Sequence, residues 1–105
     1  MPTYESSVSL EASPERTWAY LTETEHVLAF LDRLGIAAGE VHPREGHRQR
    51  VEWSAGPDHG WLEVDREHLA SSVTAELHLD AEREDFDVVL DQALFAIKGE
   101  VEAED

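Results

Sequence analysis

Between Val73 and Val101 the apolar spacing changes from period two to a helical period, and few architectures end a chain that way. Val73, Ala75, Leu77 and Leu79 alternate with Thr74, Glu76, His78 and Asp80, as in a strand with one buried face and one in water. From about Arg83, Phe86, Val89, Leu90, Ala93, Ile97 and Val101 fall in one stripe of a long helix. Glu84, Asp85 and Asp87 stand near its start, where the helix dipole favours acids.

The remainder of the chain extends this pattern. Tyr4, Ser6, Val8 and Leu10 share one face of an opening strand. Ser13-Pro14-Glu15 reads as a helix start, with Ser13 as cap and Pro14 at the first position. That helix carries Trp18 and Leu21. Thr22 and Glu25 have the spacing of a capping box for a second helix. Val27, Phe30, Leu31 and Leu34 form its apolar side, and Gly35 ends it. Val41 belongs to a short strand, and Pro43-Arg44-Glu45-Gly46 reads as a turn. His47 to Ser54 alternates, with His47, Gln49, Val51 and Trp53 on one face. Gly56 to Gly60 reads as a loop. Trp61 to Asp65 is the next strand, with Leu62 and Val64 on one face, and a short loop is expected around His68 to Ser72. The fold class is therefore α+β: strand, two short helices, an antiparallel meander giving about four to five strands in all, and a long terminal helix. The 105 residues are expected to make one domain.

Charge narrows the partners. The formal net charge is −16. Residues 1–50 hold 8 acids against 5 arginines, a net of −3, and residues 51–105 hold 16 acids against 3 bases, a net of −13. Such a surface repels nucleic-acid phosphates and anionic lipid. With no cysteine, disulfides, thiolate metal sites and thiol nucleophiles are excluded. The longest apolar run is Val27 to Leu31, too short to insert in a membrane, and the opening MPTYESSVSLEAS has no signal-peptide pattern. A cytoplasmic protein without cofactor is the expectation.

The order of elements resembles the helix-grip fold of the START-like, or SRPBCC, superfamily, which includes polyketide cyclase/dehydrase-type proteins. The residues that carry it are the opening VSLEASPERTWAYLTETEHVLAFL and the closing VTAELHLDAEREDFDVVLDQALFAIKGEVE. In that family a strand leads through a Ser-Pro cap into a helix with a Trp four residues beyond the Pro, here Ser13, Pro14 and Trp18. The resemblance implies a terminal helix lying across a curved sheet, with an apolar ligand held between them. This chain is shorter than a typical member, which implies a smaller or more open grip.

On that basis the ligand walls are expected from Trp18, Leu31, Trp53, Leu77, Leu90 and Ala93. His47 and Gln49, on the face of Val51 and Trp53, would be the polar groups nearest the interior; the alternative is that both are solvated. His47 is the one interior acid–base candidate, so a cyclase/dehydrase-type enzyme stands as a second reading. Trp61 is out of phase with Leu62 and Val64 and belongs on the outer face or at a loop mouth. The six histidines include His42 with Glu45 and His47, Asp58 with His59, and His78 with Asp80, none of them a known metal frame, so no metal site is expected. Val88 and Phe95 lie nearly opposite the core stripe. They form either a homodimer contact or isolated surface apolars, and a pocketless interaction module is the third reading.

Overall fold

The structure, a computed structural model, describes residues 2–37, 39–46 and 48–103. Five strands and three helices follow the expected order: β1 Thr3–Leu10, α1 Pro14–Leu21, α2 Thr24–Arg33, β2 Glu40–Glu45, β3 Gln49–Ala55, β4 Asp58–Glu67, β5 Ala70–His78 and α3 Phe86–Ala103. The strands form one antiparallel sheet in the order β1-β5-β4-β3-β2, which leaves β1 and β2 as its edges. The register sets two faces. One carries Val8, Val73, Val64 and Val51 across four strands, with the last three buried under the helices and Val8 half-buried against them. The other carries Thr74, Glu63 and Arg50 and faces away from the helices. The helix α3 packs chiefly along β1 and lays Phe86, Leu90, Ala93, Leu94, Ile97 and Val101 into the core. Among the described residues no helix is long and apolar enough to cross a membrane.

Local chemistry explains the joints. The Ser13 hydroxyl accepts from the Arg16 N–H at 3.2 Å and caps α1. The Ser71 hydroxyl donates to the Ala12 carbonyl at 2.9 Å, so the 2.8 Å contact with Thr17 is a bond in which Thr17 Oγ1 donates to Ser71. This buried pair fixes the start of α1 to the start of β5. Gly35, at φ +73°, takes the left-handed turn after α2. The Arg83 guanidinium donates to the Leu34 carbonyl at 2.8 Å. The Tyr4 hydroxyl accepts from the Arg83 N–H at 3.0 Å, and the Tyr4 ring lies 4.6 Å from that of Phe86, fixing the approach to α3 against β1.

Several expectations are corrected. Thr22 forms no capping box with Glu25: its hydroxyl donates to the Ala19 carbonyl at 2.9 Å, and Glu23 is the N-cap, without a side-chain cap bond. Pro43, Arg44 and Glu45 belong to β2 rather than to a turn. An edge strand has N–H groups that bond nothing, so proline costs it little. The loop expected over Gly56 to Gly60 shrinks to Gly56-Pro57. Gly56 sits at φ +62° and Pro57 supplies a fixed negative φ, the combination a type II′ hairpin turn requires. Asp58, His59 and Gly60 are thereby strand residues. The β4–β5 turn is likewise only His68-Leu69, so Ser71 and Ser72 are in β5, and α3 begins at Phe86 rather than near Arg83.

Candidate functional site

The expected grip residues lie together. Trp18, Leu31, Trp53, Leu77, Leu90 and Ala93 all belong to one buried cluster between sheet and helices. Gln49 shares the inner face of β3 with Val51 and Trp53 and is half-buried at its end. His47 lies outside the described residues. Trp18 donates its indole N–H to the Glu45 carboxylate at 2.7 Å, which ties α1 to the edge strand β2.

Trp53 differs from Trp18. It is 2% exposed, and among the described residues its indole N–H has no hydrogen-bond partner. Leaving a buried donor unmet costs roughly 1 to 3 kcal/mol. The ring lies over Gly60, its cross-strand partner on β4. A Cβ on Gly60 would come within 3.0 Å of Trp53 Cζ2, so glycine makes the room for the indole. Among the described residues, the buried polar and charged groups are Thr17, Glu63, Ser71 and Ser72. Only Glu63 is ionisable, and it lies on the opposite face of the sheet.

That opposite face holds the larger concavity, of about 360 Å³. Its rim is His42, Glu52, Ser54, His59, Trp61 and His78, with Trp53 and Gly60 beneath. Strand register assembles it: His42 faces Glu52, Glu52 faces Trp61, Ser54 faces His59 and His59 faces His78. Glu63 is only 5% exposed and holds Arg50 at 2.8 Å and Arg48 at 3.3 Å. Arg50 in turn lies 3.9 Å over the Trp61 ring. Desolvation pushes the Asp65 carboxyl above its ordinary value, with the Glu63 charge adding to the effect. The structure places His42, His59 and His78 on three separate strands, so only the pairing register shows that they share one face. A second concavity, of about 200 Å³, lies between α2 and α3 beside Arg33, Val89, Gln92 and Ala93.

His42 and Glu45, three apart on β2, point to opposite faces. At the start of α2, Glu23, Glu25 and His26 bring ligand-type atoms within 4.8 Å of one another. His26, however, is held by the Tyr20 carbonyl at 2.7 Å and stacks on the Tyr20 ring at 3.8 Å.

No protein-family model matches the chain, and no curated protein matches it by sequence. Solved structures do. TTHA0849 from Thermus thermophilus superposes with a TM-score of 0.57 at 16% identity, over 97% of this chain and 98% of that one. Ara h 8.0201 superposes with a TM-score of 0.52 at 10% identity, over 98% of this chain and 99% of that one. The Zhui aromatase/cyclase from a Streptomyces species aligns at 14% identity over 96% of this chain and 93% of that one, with a TM-score of 0.47. At such identities the first two likenesses establish the fold alone. The architecture is the helix-grip fold: an open five-stranded antiparallel sheet with a C-terminal helix packed across it.

Proposed function

We propose that the domain binds a small apolar or amphipathic molecule between the sheet and α3, with the Trp53 indole N–H as its polar anchor. The observation that carries this reading is that N–H, buried on the inner face with no partner. Ligand sites of this kind have apolar walls and few polar groups. Here Trp53 and Leu77 supply the wall from the sheet, and Trp18, Leu31, Leu90 and Ala93 supply it from the helices. Among the described residues the inner core holds no carboxylate or imidazole, so binding is favoured over interior acid–base chemistry by such groups.

The test uses Prodan, a neutral naphthalene with a carbonyl acceptor, whose emission shifts to the blue in apolar surroundings. Saturable blue-shifted emission is expected. Trp53→Phe keeps the aromatic bulk and removes the N–H, and should weaken binding about tenfold while leaving stability unchanged or slightly improved. Absence of saturation, or equal affinity in the variant, would refute the reading.

A second reading has its own observation. Val88 and Phe95 are 52% and 67% exposed on the outer side of α3, beside a concavity between α2 and α3. They would serve as a contact between two copies of the chain. On this reading Phe95→Glu shifts the mass seen by light scattering from dimer to monomer. A monomeric parent protein would end it.

A further inference from the structure

The concavity on the outer sheet face has the organisation of a built site. Its two aromatic walls are each held from behind. On one side, buried Glu63 grips Arg50 by two bonds, at 2.8 and 3.2 Å, and Arg50 covers one face of Trp61. A desolvated carboxylate on a solvent-facing sheet is costly, and its two arginines offset that cost while fixing the Trp61 ring. On the other side, the ring nitrogens of His78 are held by Thr3 Oγ1 at 3.2 Å and Glu76 Oε2 at 3.3 Å. A carboxylate only accepts, so in the neutral imidazole Nε2 carries the proton and Nδ1 accepts from Thr3. His59 stacks on this fixed ring at 4.9 Å, with the planes 8° apart.

Parallel stacking tells against a shared metal. An imidazole binds a metal in its own plane, and two stacked planes do not meet at one point. Stacked imidazoles beside an indole instead present flat π surfaces. Between the walls, Ser54 offers a hydroxyl. Glu52 gives one oxygen to Arg44 at 3.1 Å and leaves the other for a donor. The net charge of −16 disfavours anions.

We infer that this outer-face pocket binds a small, flat, uncharged nitrogen heteroaromatic, stacked beside Trp61 and the His59–His78 pair and donating an N–H to Glu52. The site opens on the face of the sheet away from the grip, with Trp53 and Gly60 beneath it. Benzimidazole is the probe, followed through the indole and imidazole NMR signals of the intact chain. A saturable shift centred on Trp61, His59 and His78 is expected. Trp61→Leu should weaken it about tenfold, the contribution of one aromatic stacking partner. Glu63→Gln, which loosens Arg50 without touching the pocket, should weaken it severalfold. Benzoate should be rejected for its charge and cyclohexylammonium for its missing π face. Shifts that do not saturate, that survive Trp61→Leu, or that cyclohexylammonium reproduces would each overturn the inference. Should Glu63→Gln fail to fold, Arg50→Met tests the same support of the Trp61 ring.

Discussion

Replacing Gly60 by alanine is expected to destabilise the domain by about 3 kcal/mol, the upper part of the range for overpacked sites. A Cβ there would stand 2.2 Å from the Glu76 carbonyl oxygen, 3.0 Å from Trp53 Cζ2 and 3.1 Å from the Leu77 Cα. Two of those atoms are backbone, and β4 is paired on both sides, so relief requires parting β4 from β5. At this chain length such a loss lowers the melting temperature by roughly 12 to 20 °C. Gly99→Ala is the control: nothing lies within 4 Å of its added Cβ, and removing a glycine from a helix interior should add about 0.5 to 1 kcal/mol. Thermal denaturation of the two variants beside the parent decides the matter. A melting temperature for Gly60→Ala within a few degrees of the parent would mean that β4 does not approach the β5 backbone at Glu76 as closely as described.

Gly60 also shows where a sequence reading of this chain stops. It ends the segment Gly-Pro-Asp-His-Gly, which reads locally as a loop, yet it is a strand residue with an indole across it. The turn closes in two residues because Gly56 and Pro57 satisfy it alone, and that depends on a register no local window contains. Pro43 misleads in the same way, since proline is permitted in β2 only because β2 is an edge. By contrast, the change of period near residue 80, the Ser13-Pro14 start and the Gly35 stop are local signals, and the structure keeps each of them within a few residues. The burial of Trp18, Leu31, Trp53, Leu77, Leu90 and Ala93 was legible because periodicity marks buried faces. The lone donor on Trp53 was not, since satisfaction of a hydrogen bond is a property of neighbours. The outer pocket was least legible. Its histidines look scattered at 42, 59 and 78, and Glu63 looks like one more acid on a solvent face until Arg48 and Arg50 are seen to enclose it.

Leu90→Ala should cost about 3.5 kcal/mol, within the range for buried leucines, and should also change what the protein binds. Leu90 is fully buried on α3, in the same cluster as Trp53, and α3 lies close along β1, so little can collapse into the gap. The cost should be much larger than that of Trp53→Phe, which trades a bulky ring for a slightly smaller one and removes an unmet donor. If the space between sheet and α3 is a ligand site with Leu90 in its wall, the truncation enlarges it. An apolar space of this kind stays dry and takes up small hydrocarbons. Saturating benzene should therefore raise the melting temperature of Leu90→Ala by several degrees and that of the parent by less, because a ligand stabilises only the state that binds it. Prodan should likewise restore more stability to the variant than to the parent. Equal shifts in the two proteins would separate Leu90 from the binding space. A stability cost below about 1.5 kcal/mol would mean that the core relaxes into the space Leu90 leaves, and that α3 does not lie as close along β1 as described.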